Sequence, residues 1–176
     1  LERRNDLDYS TKALSFSHKF KKMYPEIKIE NAYTKIVRLR MNKYPEEIAK
    51  MQESIDVTKG ALENVMSNIK PGLYEYQIET YYDSYIKYHG QKPVSFETIC
   101  AAGKNATVLH YIDNNTIVKD NELVLFDLGC CTDYYISDIS RTYPANGHFT
   151  ERQKQIYEIV LNCNKECIKF LKPGLS

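Results

Sequence analysis

The sequence has almost no charge excess. Its 24 basic residues meet 23 acidic ones, for a net charge of +1. That balance carries no electrostatic footprint for nucleic acid or an anionic surface, so no nucleic-acid partner is expected. No apolar run approaches the roughly 18 residues of a membrane-spanning helix, and no membrane partner is expected either. The chain opens Leu1-Glu2-Arg3-Arg4, with no initiator methionine and no signal-peptide pattern. It reads as a piece of something longer. The five cysteines are an odd count and none forms a C-x2-C pair. Neither a disulfide framework nor a zinc ribbon is supported, and a reducing, cytoplasmic setting is expected. Internal repeats and low-complexity linkers are also missing. What remains is 176 residues, 43% of them hydrophobic. That suffices for one domain, or for one domain and part of another.

One stretch carries chemistry. Residues 123–143 read LVLFDLGCCTDYYISDISRTY. Four apolar residues, Leu123 to Phe126, suit a strand buried on both faces. Asp127 follows directly, where an ionised carboxylate needs a cation or several donors. Gly129 breaks the strand, and Cys130 to Asp133 make a plausible turn. A second run then carries Asp138. A turn centred near Thr132 places Asp127 opposite Ile136 or Ser137, with Asp138 as a near-diagonal neighbour. Two carboxylates converging on a hairpin repel unless they share a proton or a metal. Solvated acidic residues near a turn are the plainer alternative.

The rest of the chain frames that hairpin. Residues 11–23 carry Ala13, Phe16, Phe20 and Met23 at helical spacing, with lysines on a solvated face. Ile27 and Ile29 alternate within a short predicted strand over residues 26–30. Asn31 can cap a second short helix. Pro45, Glu46 and Glu47 open a long helix, with an apolar stripe of Ile48, Met51, Ile55, Leu62, Val65 and Ile69. Pro71-Gly72 ends it. A second helix spans residues 74–89, with Ile78, Tyr82 and Tyr85 inward. His89 is a partner for the helix C-terminus. Residues 95–102 read as a strand, and residues 108–111 continue extended after a turn. Thr150 to Gln153 is a capping box. It opens a helix whose stripe of Ile156, Val160, Cys163, Cys167 and Phe170 is predicted to lie in the core. The expected fold class is α+β, with helices packed on one face of a mainly antiparallel sheet.

Several segments, in this order, resemble the aminopeptidase P and prolidase family, the pita-bread (creatinase/aminopeptidase-like) metallopeptidases. Lys43-Tyr44-Pro45-Glu46-Glu47-Ile48 resembles the entry into the catalytic domain. Ala106-Thr107-Val108-Leu109-His110-Tyr111 resembles the strand that bears a substrate-side histidine. Leu125-Phe126-Asp127-Leu128-Gly129 and Ser137-Asp138-Ile139-Ser140-Arg141-Thr142-Tyr143-Pro144 resemble the first two metal-ligand segments. Asn146-Gly147-His148-Phe149-Thr150 resembles the loop that follows. The resemblance implies that residues 41–176 are the first half of the pita-bread domain, and that residues 1–40 finish a non-catalytic N-terminal domain.

It also implies an activity. Asp127 would chelate one divalent metal and Asp138 would bridge two, with Mn(II) the family's common ion. A metal-bridging hydroxide would attack the carbonyl of an X-Pro bond, releasing the first residue of a peptide with proline second. His110 would hydrogen-bond the substrate or the tetrahedral intermediate; without the resemblance it reads as a satisfied histidine at a strand end. Arg141 would support the carboxylates. One departure matters. The family's site also takes a His and two Glu from the second half of the domain. His148, Glu151, Glu158 and Glu166 do not occupy those positions. This chain alone is therefore expected to be inactive or nearly so. Its apolar surface is expected to be covered by homo-oligomer formation or by association with a partner. A prolidase acting on X-Pro dipeptides, or a non-catalytic pita-bread binding module, remain alternatives.

Overall fold

A computed structural model describes residues 11–93 and 96–175, without the side chains at 92 and 93. Two compact units divide at Ile48. In the first, helix α1 spans Lys12–Met23, and Thr11 caps it by accepting the Leu14 N–H at 3.2 Å. Phe16 stacks on Phe20, and Tyr24 at the helix end meets Phe20 at a tilt. Helix α2 spans Tyr33–Met41, and Asn31 Oδ1 accepts the Tyr33 N–H at 2.9 Å. The strand predicted over residues 26–30 does not form. No ladder partner runs beside it among the described residues, and an unpaired strand has nowhere to send its backbone groups. Instead the Ile27 carbonyl accepts from Lys21 Nζ at 2.7 Å. The first ten residues of the predicted N-terminal remnant lie outside the described residues.

The second unit is built on two antiparallel helices and two small sheets. Helix α3 spans Pro45–Asn68 and helix α4 spans Glu75–Tyr88. The larger sheet places β3 (Leu123–Leu128) between β2 (Ile99–Ala102) and β6 (Ile139–Pro144), all antiparallel. The smaller places β4 (Cys130–Thr132) between β1 (Lys92–Pro93) and β5 (Tyr135–Ile136). Of the strand predicted over residues 95–102, only 99–102 forms, and Ser95 lies outside the described residues. The core joins Leu62, Val65, Ile78, Tyr82 and Ile86 of the helices to Cys100, Val124, Phe126 and Leu128 of the sheet.

β3 is closed on one face only. Val124, Phe126 and Leu128 are buried, whereas Leu123, Leu125 and Asp127 are half-buried. Alternation thus sends Asp127 to the side away from α3 and α4. That corrects the reading of a strand buried on both faces. α3 departs from its predicted stripe too. Ile48 and Ile55 are exposed, and the buried face is Ser54, Thr58, Ala61, Leu62 and Val65.

Helix α5 spans Glu151–Phe170 with the predicted capping box: Thr150 Oγ1 accepts the Gln153 N–H, and Gln153 Oε1 accepts the Thr150 N–H. Its apolar stripe is not in a core. Cys163 and Cys167 are exposed, as are Ile156, Val160 and Phe170. Leu123 and Thr142 meet Ile156 and Val160 across a groove of about 460 Å³. Among the described residues no layer covers the rest. No helix is long and apolar enough to cross a membrane among the described residues.

Candidate metal centre

The segment from β3 to β6 is one hairpin with a constant register. Asp127 pairs with Ser140 in the larger sheet, and Cys131 pairs with Ile136 in the smaller. The turn is Asp133-Tyr134, both with positive φ (48° and 71°), the conformation that suits a two-residue hairpin turn. The turn therefore centres beyond Thr132, and Asp127 faces Ser140 rather than Ile136 or Ser137. Asp138 remains a diagonal neighbour of Asp127.

The hairpin breaks at residues 137–138, between β5 and β6. Gly129 lies across from Asp138 and makes the close approach. A Cβ there would fall 1.7 Å from the Ser137 carbonyl oxygen. Below the break, α3 supplies hydroxyls. Ser54 Oγ donates to the Cys130 carbonyl at 2.7 Å and to Ser137 Oγ at 3.0 Å. Thr58 Oγ1 lies 2.8 Å from Ser137 Oγ, which also accepts the Cys130 N–H at 3.0 Å. Ser54, Thr58 and Ser137 are all buried. The residue before Asp138 is thus fixed from beneath. Apolar periodicity missed this cluster because it gives weight only to apolar positions.

Asp138 then turns toward Asp127. Burial raises its carboxyl above the ordinary 3.8, and the charge and hydrogen bonding of Asp127 raise it further. Ser140 Oγ donates to Asp127 Oδ1 at 2.9 Å. Both carboxyls line a cavity of about 410 Å³ with Phe96, Glu97, Ile99, His110 and Ile112. His110 comes from the loop after the 3₁₀ turn Gly103–Thr107. It does not sit on an extended strand. It occupies a turn at φ 54°, uncommon outside glycine though histidine adopts it more readily than most. Asp127, Asp138 and His110 therefore meet at one cavity. Glu97 and Phe96 also border it; sequence reading did not single them out.

Arg141 is not a partner of the carboxylates. It pairs across from Phe126, on the face opposite Asp127, and its Nη1 donates to the Ser140 carbonyl at 2.7 Å. His148, Glu151, Glu158 and Glu166 do not line the cavity.

The pair fits a divalent cation in part. Two carboxyls in mutual hydrogen-bonding reach, one raised by the other, are relieved by a hard positive ion between them. Among the described residues no group of three His, Cys, Asp or Glu could hold a metal. The hairpin supplies two donors of a shell that needs more.

The chain belongs to metallopeptidase family M24, whose sequence model matches residues 49–176. It is 38% identical to a Xaa-Pro aminopeptidase of Escherichia coli over 138 residues, covering 78% of this chain and 31% of that protein. It is 35% identical to human Xaa-Pro aminopeptidase 3, covering 85% of this chain and 29% of that one. A solved structure described as an aminopeptidase P from Bacillus anthracis superposes with a TM-score of 0.91 at 47% identity, covering 99% of this chain and 42% of that one. The fold is accordingly α+β, that of the N-terminal part of a pita-bread domain. The chain spans about a third of the length of the curated relatives it matches.

Proposed function

We propose that this chain is part of a cytoplasmic, metal-dependent aminopeptidase that removes the first residue from peptides with proline second. The observation that carries the reading is the convergence of Asp127, Asp138 and His110 on one cavity in a chain of this family. Residues 41–176 act as the N-terminal half of the catalytic domain, and residues 1–40 as the end of a preceding one. Asp127 and Asp138 hold divalent ions, Mn(II) by preference, two in the complete site. Such ions supply a water of lowered pKa and polarise the substrate carbonyl.

The chain's own residues do the rest. Ser140 orients the Asp127 carboxyl through its hydroxyl. The bend at Gly129 sets Asp138 beside it. The imidazole of His110 faces the same space and donates an N–H to an oxygen of the substrate as charge develops there. Ile99 and Ile112 border the cavity with apolar surface, which suits a proline ring. The exposed apolar stripe of α5 is covered in the assembled protein by further protein surface.

The test is cleavage of X-Pro-Y peptides by the intact protein, with and without a chelator. Release of the first residue should need metal, and His110→Ala should lower kcat by about a hundredfold. Cleavage restricted to X-Pro dipeptides would favour a prolidase instead. Cleavage unaffected by chelation, or none with Mn(II) supplied, would overturn the reading.

A further inference from the structure

Glu75 stands in the first turn of α4 and is fully buried. A buried carboxylate is costly unless donors meet it. Four do, all neutral. Oε1 accepts the Ala102 N–H at 2.7 Å and the Asn105 side-chain amide at 2.9 Å. Oε2 accepts the Tyr111 hydroxyl at 2.7 Å and the Thr116 N–H at 2.9 Å. These donors sit at the end of β2, in the 3₁₀ turn, and at two points of the loop that follows. One side chain thus ties together every segment that flanks His110.

A second clamp lies beside the first. Asn114 is buried, and its Oδ1 accepts the Cys100 N–H at 3.0 Å. Its amide donates to the Thr98 carbonyl at 2.8 Å and to Glu79 Oε2 at 2.9 Å. His110 and Asn114 both have positive φ, 54° and 43°. That conformation is uncommon at non-glycine residues, less so at asparagine and histidine. Hydrogen bonds from Glu75 and Glu79 of α4 hold the loop in that shape. Glu75 does not line the cavity, so anything it does for the site passes through the loop.

We propose that Glu75 is a positioning residue for His110: its four-donor carboxylate clamps the loop that presents the imidazole to the cavity. The proposal rests on the role given to His110 above. A glutamine at 75 keeps one acceptor but turns an amide toward the Thr116 N–H, donor against donor. Tyr111→Phe is gentler, removing one of four bonds and leaving the buried carboxylate three partners.

The experiment uses the intact protein. It reads kcat and KM on an X-Pro-Y peptide, Mn(II) affinity, and the imidazole proton resonances of His110 in the metal-free state. Glu75→Gln and Tyr111→Phe should each lower kcat about ten- to a hundredfold, leave Mn(II) affinity within about twofold, and move the His110 resonances. In a His110→Ala background, Tyr111→Phe should cause no further loss. Loss by the same factor in that background would overturn the proposal, as would unmoved His110 resonances. Should Glu75→Gln fail to fold, Tyr111→Phe decides. If the unmodified protein cleaves no X-Pro peptide, the aminopeptidase reading fails, and the His110 resonances alone still decide the clamp.

Discussion

At the scale of single residues, Asp138 is the most informative side chain. Its carboxyl titrates above the ordinary 3.8, first from burial and then from Asp127. The folded chain thus holds a proton that the unfolded chain gives up. Ionising Asp138 opposes folding, so stability falls as pH rises through the window just above the ordinary carboxylate value. Asp138→Asn removes that penalty. In chelator at neutral pH the variant should melt at or above the parent, and the gap should close as pH drops below the ordinary carboxylate value. Solvent screening limits the effect to under about 1 kcal/mol, or about 2–4 °C. A variant that melts lower by the same margin at both pH values would contradict it. That Asp127 and Asp138 lie side by side was legible in the sequence because a hairpin brings their two runs together, although the run before Asp127 is closed on one face only. His110 was placed only through a resemblance. Its turn was not legible, because nothing in Val108-Leu109-His110-Tyr111 announces a positive φ; the clamp that holds it begins more than thirty residues earlier, at Glu75.

At the scale of elements, the hairpin and α3 hold the Asp127–Asp138 pair in place. Helix bounds followed from Pro45, Pro71-Gly72 and the Thr150 capping box, whose local chemistry sets them wherever the helix packs. Register did not follow, because the Asp133-Tyr134 turn lacks the glycine that usually marks such turns. The hydroxyl face of α3 was hidden for another reason. Ser54 and Thr58 meet backbone and Ser137 at the bend, and that demand exists only once the hairpin is folded. Gly129 tests the bend. Gly129→Ala puts a methyl group into the Ser137 carbonyl, and the strands must part. A loss of about 1–3 kcal/mol in urea denaturation is expected, with Mn(II) affinity lowered as Asp138 moves. Full stability and unchanged affinity would show that the close approach is dispensable. The strand predicted at residues 26–30 and the buried Cys163 and Cys167 failed alike. Each pattern states which face is apolar, and neither states whether a neighbour lies there.

At the scale of the whole molecule, the second unit carries a scaffold and the carboxylate pair of the proposed centre. Helices α3 and α4 close one face of the sheet, and the opposite face carries Asp127 and, at its other end, meets α5. α5 adds an apolar surface that the described elements cover only in part. Among the described residues no third His, Cys, Asp or Glu joins Asp127 and Asp138 to hold a metal. The most direct measurement is a calorimetric Mn(II) titration of the 176-residue chain and of the intact protein, each with Asp127→Ala and Asp138→Ala. The intact protein should bind Mn(II), and either substitution should weaken binding at least about tenfold. The 176-residue chain should bind far more weakly, because two carboxylates do not complete a divalent shell. Mn(II) affinity unchanged by both substitutions in the intact protein would mean that the hairpin carboxylates are not ligands.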